Sequence, residues 1–201
     1  MPPTELAQLL QIARRHTMIS ARDATGAGIH SQMLTRLVVA GVLERMARGQ
    51  YRLAGRPVTE RHALVVAARA GPRGVICLLS ALDFHGIGTQ LPADIWIAVE
   101  RGTRAPAISQ LPLQVVHFSA AAFSDGIEIH RIEGEAVRIY GVAKTLADLF
   151  KFRNRIGLDV ALEALRDAWQ RRAFTMAALD RAARACRVAQ VMRPYIEAVV
   201  A

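Results

Sequence analysis

The sequence predicts an α+β protein in which an N-terminal winged helix-turn-helix is followed by a larger mixed α/β domain with a mostly antiparallel sheet and C-terminal helices. Two observations predict this class. Three short segments with helical spacing precede a hairpin pattern within the first 56 residues. Beyond them, short segments rich in β-branched residues give way to long stretches with helical spacing. An apolar content of 52% supplies enough material for a buried core.

The first two helices are short and begin at recognisable capping residues. Apolar residues recur at the i, i+3, i+4, i+7 spacing of one helical face from Leu6 to Ala13, with Thr4 as the N-cap. Ser20, followed three residues later by Asp23, offers an N-cap and a capping acid for a second helix. This helix is about two turns long because the sequence Gly26-Ala27-Gly28 stops it.

A third helix opens at Ser31 and ends at Gly41. Its inward face is apolar and consists of Met33, Leu34, Leu37 and Val38. Its outward face consists of Gln32, Thr35, Arg36 and Val39. A hairpin follows, with strands at Leu43–Met46 and Gln50–Leu53 around the turn Ala47-Arg48-Gly49. Three helices and a basic hairpin predict a winged helix-turn-helix.

The stretch Ala54-Gly55-Arg56-Pro57 predicts a boundary between a winged domain at residues 1–56 and an α/β domain at residues 57–201. The first part holds eight Arg and three acidic residues (+5), and the second holds 18 basic and 14 acidic residues (+4). An excess of cations favours a nucleic acid partner through counterion release. The chain is also rich in Arg and Ala, as in proteins from genomes of high GC content, so its charge alone does not decide the partner.

The second domain is predicted to begin with a helix at Thr59–Ala70 and a buried strand at Val75–Leu79. Ser80 and Asp83 then cap a single helical turn that ends at His85-Gly86. The further predicted strands are Ile95–Val99, Leu113–Phe118, Ile127–Ile132 and Val137–Tyr140. The remaining predicted helices are Lys144–Phe152, Leu158–Trp169, Thr175–Arg187 and Pro194–Val200.

The winged pattern predicts binding to double-stranded DNA, because a major groove admits one helix whose side chains read base edges. The predicted contacts on the third helix are His30, Ser31, Gln32, Thr35 and Arg36. On the wing, Arg45, Arg48 and Arg52 suit phosphates or a neighbouring minor groove. The alternative for each residue is an ordinary solvated surface, and a winged helix can also mediate protein contacts.

The sequence offers little support for catalysis, a metal or a cofactor, so we expect none of them. Cys77 and Cys186 lack metal-binding spacing, the histidines are scattered, and neither a phosphate loop nor a nucleophile elbow is present. Asp94 and Glu100 resemble the paired acids of metal-dependent nucleases, and a nuclease is kept as an alternative. With no long apolar run and no secretory signal, we expect a cytoplasmic protein.

Three blocks of the sequence carry a resemblance to a known family. They are SALDFHGI (residues 80–87), LPADIWIAVERGTR (91–104) and AKTLADLFKFRNRIGLDVALEALRDAW (143–169). Together with the winged module they resemble the AbiEi family of type IV antitoxins of abortive-infection (phage defence) systems. The resemblance implies that the winged domain represses its own operon at inverted repeats in the promoter. It also implies that the second domain opposes a nucleotidyltransferase-like toxin, without a stable complex.

Two further predictions concern the second domain. The basic residues Lys144, Lys151, Arg153 and Arg155 are candidates for toxin neutralisation, and the alternative is a solvated helix end. The C-terminal arginines, at positions 171, 172, 181, 184 and 187, would extend the DNA footprint unless they reflect codon usage. The alternative function is a stand-alone winged-helix regulator whose second domain senses a ligand or partner.

Overall fold

The computed structural model describes residues 5–15, 18–55, 59–106 and 111–200. The predicted N-cap Thr4 and the boundary residues Arg56 and Pro57 lie outside these ranges. The architecture confirms the predicted α+β class, with a small winged module followed by a larger domain built on a mixed sheet.

The winged module has the predicted order of helices and hairpin. Its elements are α1 (Glu5–Arg15), β1 (Ile19–Ser20), α2 (Ala21–Gly26), α3 (Ser31–Val39), β2 (Leu43–Ala47) and β3 (Gln50–Leu53). Strand β3 lies between β1 and β2 and is antiparallel to both. The sequence did not predict β1, which has only two residues and therefore shows no alternation.

The start of α2 confirms the predicted capping box. The Ser20 hydroxyl accepts a hydrogen bond from the Asp23 backbone N–H at 3.0 Å, and the Asp23 carboxylate accepts one from the Ser20 N–H at 3.1 Å. Below α2, side chains from all three helices and from the sheet form one apolar core. Its fully buried members include Leu9, Ile19 and Leu34.

The second domain contains a five-stranded sheet and eight helices within the described residues. The strands are β4 (Val75–Ile76), β5 (Ile95–Glu100), β6 (Leu113–Phe118), β7 (Ile127–Ile132) and β8 (Glu135–Tyr140). The helices are α4 (His62–Ala70), α5 (Leu78–His85), α6 (Ala120–Ser124), α7 (Val142–Lys151), α8 (Arg153–Ile156), α9 (Leu158–Gln170), α10 (Met176–Ala185) and α11 (Ala189–Val200).

The sheet order is β6-β5-β4-β8-β7, and the sheet is more evenly mixed than predicted. The pairs β5–β6 and β4–β8 are parallel, whereas β4–β5 and β7–β8 are antiparallel. Two of the four strand pairs are therefore antiparallel, whereas the sequence predicts a mostly antiparallel sheet.

One predicted strand and one predicted cap are wrong in detail. Strand β4 ends at Ile76, and α5 already begins at Leu78, which the prediction assigned to the strand. Ser80 does not cap this helix, because it lies inside α5 and is buried. Its hydroxyl instead accepts a hydrogen bond from the Trp96 N–H at 2.9 Å and so ties α5 to β5.

Each face of the large sheet carries its own apolar cluster. Val75, Ala98 and Tyr140 face a cluster formed with α5, α7 and the C-terminal helices. Ile76 and Ile139 face the opposite cluster, which α4 covers. This division follows from the alternation of side chains along a strand.

The winged module rests against α4 and β8 of the second domain. Met18 is fully buried in the cluster under α4, and Met46 of the wing packs against the same cluster. The Arg69 guanidinium of α4 donates to the Met18 carbonyl at 3.1 Å, to Asp23 at 3.2 Å and to Glu135 at 2.7 Å. One guanidinium therefore joins α2 to the hairpin of β7 and β8. The predicted boundary at residues 54–57 itself stays a prediction.

Among the described helices, none combines the length and apolar character that a membrane crossing requires.

Candidate nucleic-acid interface

Helix α3 presents a continuous, mostly polar row of side chains to solvent, as the sequence predicts. Leu34 and Leu37 are buried on its inner face. The exposed side chains of the outer face are Ser31, Gln32, Thr35, Arg36 and Val39. The last four of these, together with Ala40, line a shallow depression on the surface. No described part of the second domain lines this depression, so the row is open to a large partner.

The N-terminal end of α3 is open to a ligand. His30 occupies the N-cap position, is exposed, and makes no side-chain hydrogen bond to the first turn. The first-turn N–H groups of a helix attract anions, since intrahelical hydrogen bonds do not satisfy them. His30, Ser31 and Gln32 are therefore placed where a phosphate or a base edge would approach.

The wing presents Arg45 and Arg48 to solvent. Arg48 lies in the turn between β2 and β3, beside Gly49, whose φ of +72° is suited to glycine. The Gly49 carbonyl accepts a hydrogen bond from the Ala21 N–H at 2.8 Å and fixes the turn against α2. The position of Arg48 relative to the helix-turn-helix is thus set by a backbone contact.

Arg52 does not extend from the wing as predicted. It is the register partner of Glu44, and its guanidinium contacts the Glu44 carboxylate at 2.5 Å, with its side chain only 16% exposed. Adjacent strand residues point to opposite faces, so Arg52 lies on the face away from Tyr51, which packs in the winged core. The prediction of Arg52 as a free DNA contact is therefore wrong, because a cross-strand ion pair holds it.

Sequence reasoning did not select Arg22, which is exposed on α2. The first helix of a helix-turn-helix crosses the DNA backbone, so an exposed arginine on it is suited to a phosphate. The signal was present in the sequence. The capping box starts α2 at Ala21 and thereby places Arg22 in its first turn, before the buried Ala24.

Lys144, predicted as part of an accessible basic face, is buried. Its side chain is 1% exposed, and its ammonium contacts the fully buried carboxylate of Asp148 at 2.5 Å. The ammonium also lies over the rings of Phe118 and Tyr140, at 4.5 and 4.1 Å from their centroids. The prediction is wrong because the periodicity of α7 turns Lys144 toward the core, where Asp148 neutralises it.

The other three predicted neutralisation residues lie near the surface and hold local contacts. The Lys151 ammonium donates to the Cys186 carbonyl at 2.7 Å, and the Arg153 guanidinium donates to the Phe150 carbonyl at 2.9 Å. Arg155 contacts Gln114, and its guanidinium lies 4.7 Å from the centroid of the Trp96 ring. Lys151 and Arg155 are exposed, and their role in toxin neutralisation stays a prediction.

Burial raises the pKa of Asp148 to about 6, against the opposing effect of Lys144, and Cys186 donates its thiol to the same carboxylate at 3.1 Å. The folded protein therefore binds a proton at Asp148 at a higher pH than the unfolded chain does. Between pH 6 and 4 this difference raises the free energy of unfolding as the pH falls.

We expect this pH dependence to disappear in the variant Lys144→Met/Asp148→Leu, which has no titrating pair. Urea unfolding at pH 7 and at pH 4.5 measures it. The free energy of unfolding of the wild type, relative to that of the variant, should be larger at the lower pH. An unchanged difference would show that Asp148 has an ordinary pKa.

The C-terminal arginines are mostly matched by acidic neighbours. The pairs are Arg171 with Asp167, Arg181 with Asp125 and Arg184 with Asp180. Such pairs lower the local positive potential, so the extension of the DNA footprint to these helices has little electrostatic support. Arg172 and Arg187 are exposed.

Asp94 and Glu100, the acids of the nuclease alternative, lie at opposite ends of β5. Asp94 precedes the strand, and Glu100 is its last residue, so about 20 Å separates them at the rise of an extended chain. The Asp94 carboxylate accepts a hydrogen bond from the Gln114 amide at 2.7 Å. A joint metal site of these two acids is therefore not formed. The part of the chain that the structure describes holds no group of three or more His, Cys, Asp or Glu side chains suited to a metal ion.

Comparison with known proteins gives a family-model match within the winged module and a similar solved structure for the fold. Residues 7–54 match the family model described as "Transcriptional regulator, AbiEi antitoxin". Among solved structures, the chain is similar to the crystal structure of the RV2827C protein from Mycobacterium tuberculosis, with a TM-score of 0.59 and 15% identity. That alignment covers 97% of this chain and 81% of the other, and at this identity it concerns the fold alone. No curated protein matches the sequence.

Proposed function

We propose that this chain, whose residues 7–54 match the AbiEi antitoxin regulator family model, represses its own promoter and acts as the antitoxin of a nucleotidyltransferase-like toxin. Residues 1–56 bind the promoter, and residues 57–201 oppose the toxin, without a stable complex between the two proteins. The chain needs no catalytic group or cofactor for either activity.

The exposed row of α3 is the observation that carries the DNA-binding half of this proposal. Its side chains have the chemistry of base readout, because glutamine pairs with adenine and arginine with guanine. Arg48 on the wing and Arg22 on α2 add exposed cations to the same module, next to the contact between Gly49 and Ala21. Cations there position the protein on phosphates and do not themselves read sequence.

Substitutions in the row and in the wing should affect DNA binding in different ways. We expect Gln32→Ala or Arg36→Ala to weaken binding to the promoter about 10- to 100-fold, with a smaller effect on unrelated DNA. Arg48→Ala should weaken both and reduce the slope of log K against log salt by about one. Gel shifts at several salt concentrations, with the full chain, measure both effects.

Arg52→Met provides a matched control, because the structure gives this wing arginine to Glu44 rather than to solvent. Its DNA affinity should stay within about twofold of the wild type. Unchanged affinity in the Gln32, Arg36 and Arg48 variants would refute this placement of the interface. A large loss of DNA affinity in the Arg52 variant alone would also refute it.

Co-expression tests the antitoxin half of the proposal. The full chain should rescue growth of cells that express the toxin encoded beside it. A variant defective in DNA binding, such as Arg36→Ala, should rescue as well as the wild type when both are expressed from a foreign promoter. Rescue should weaken in Lys151→Glu/Arg155→Glu if that surface opposes the toxin, since both side chains are exposed.

The alternative is a stand-alone regulator whose second domain senses a ligand. A cleft of about 760 Å³ between the winged module and the second domain favours it, because ligand sites are common between domains. Ile12 and Asp23 line one side of the cleft, and Val65, Arg69 and Arg138 line the other. A regulator of this kind would bind DNA without rescuing cells from any neighbouring toxin.

A further inference from the structure

Val39 is the last residue of α3, and its side chain is 85% exposed. The other large apolar side chains exposed on the described winged module are Leu6 at 40% and Val42 at 36%. Single apolar residues on a surface are common, so exposure by itself indicates nothing. The position of Val39 on the helix is more informative.

Val39 completes a row at the spacing i, i+3, i+4, i+7 with Gln32, Thr35 and Arg36. These residues share one face of α3 and line the same depression. Seven residues of helix span about 10 Å, the length of roughly three base pairs along a duplex. The recognition helix of a homeodomain presents its base-reading residues with this spacing.

We propose that Val39 is a specificity-determining residue that contacts the 5-methyl group of a thymine in the operator. The inference rests on the proposed DNA-binding function and adds a base to what α3 reads. In the major groove, the methyl group is the apolar feature that marks thymine, and an apolar side chain is its natural contact. Cytosine carries only a hydrogen at C5, so it lacks the methyl group that valine would contact.

The order of the row also predicts the composition of the half-site. Gln32, at the N-terminal end of α3, suits adenine, and Arg36, one helical turn later, suits guanine. Val39 lies one further turn along and places its thymine toward the C-terminal end of α3. Thr35 has both a hydroxyl and a methyl group, and its hydroxyl lies 3.5 Å from the Ser31 carbonyl oxygen. The half-site is therefore expected to contain an adenine, a guanine and a thymine within a few base pairs.

Replacement of single thymines by deoxyuridine tests this contact, since deoxyuridine lacks only the methyl group. Duplexes are first selected by the full chain from a random library, and each thymine of the selected sequence is then replaced in turn. We expect one replacement to weaken binding by the wild type about fourfold, as for the loss of one buried methyl group. Val39→Ala should bind the thymine and deoxyuridine duplexes equally. Val42→Ala, a valine outside α3, should keep the wild-type sensitivity.

The possible outcomes separate this inference from the proposed function. If selection gives a defined site but no thymine is sensitive, or if Val39→Ala keeps the sensitivity, the contact is refuted while DNA binding stands. Selection without any sequence preference would refute the contact in the same way. Failure to bind any duplex would overturn both. If Val39→Ala instead changes the oligomeric state in light scattering and leaves the thymine sensitivity intact, Val39 belongs to a contact between copies of the chain.

Discussion

Replacing Lys144 by Met, or Asp148 by Asn, is expected to lower the free energy of unfolding by about 3–5 kcal/mol. Each substitution leaves the other group of the pair without its partner in the core. The Lys144 side chain is 1% exposed and that of Asp148 is 0% exposed, so water does not reach either group. A buried charge that loses its partner keeps its desolvation cost without the compensating attraction. Urea unfolding followed by circular dichroism measures the loss.

The double variant Lys144→Met/Asp148→Leu should recover most of that loss, and its stability should fall within about 1 kcal/mol of the wild type or above it. Apolar side chains of similar volume fit a site lined by Phe118 and Tyr140. A double variant as unstable as the single ones would show that the pair contributes more than charge neutralisation. Such a result would point to a structural need for the Cys186 thiol contact to Asp148.

The second large effect is expected at Arg69, which joins the two domains. Arg69→Met keeps the apolar stem and removes the guanidinium that Asp23 and Glu135 share. We expect a loss of about 2–4 kcal/mol, because hydrogen bonds to charged groups at a partly buried site are removed. We also expect the winged module to unfold before the second domain, since fewer contacts then hold them together.

The chain offers a direct readout of that separation. Both tryptophans, Trp96 and Trp169, lie in the second domain, so their fluorescence reports on it alone, whereas far-UV circular dichroism reports on both domains. The two transitions should coincide in the wild type and separate in Arg69→Met. Arg193→Met is the control, because Arg193 is 72% exposed and its pair with Glu197 is worth less than about 0.5 kcal/mol. Coincident transitions in the Arg69 variant would contradict the proposed coupling.

The winged module could be predicted from the sequence because its signals are local. The capping box at Ser20 and the alternating hairpin each occupy a few consecutive residues, and the apolar period of α3 identifies its exposed row. The same period that places Leu34 inside places Gln32 and Arg36 outside. Tertiary contacts were therefore not needed to predict which side chains of α3 are exposed.

The errors share a different cause. Arg52 is held by a residue eight positions away across a hairpin, and Ser80 by the backbone of Trp96 on another element. Lys144 shares its helical face with Asp148, and a charge count along the sequence does not show that this face is buried. A count of charges along the sequence treats every cation as solvated, whereas in the fold Arg52 pairs with Glu44 and Lys144 pairs with the buried Asp148.

The contacts between the two domains have a geometric consequence for copies bound to DNA. Met18 and Met46 of the winged module pack against the second domain, and Arg69 of the second domain donates to the Met18 carbonyl. In this arrangement, the orientation of α3 in a groove also sets the rotational position of the second domain about the duplex. Two copies on inverted half-sites then lie on the same side of the duplex only if the half-site centres differ by whole helical turns, about 10.5 base pairs each. Inserting five base pairs would carry one copy to roughly the opposite side.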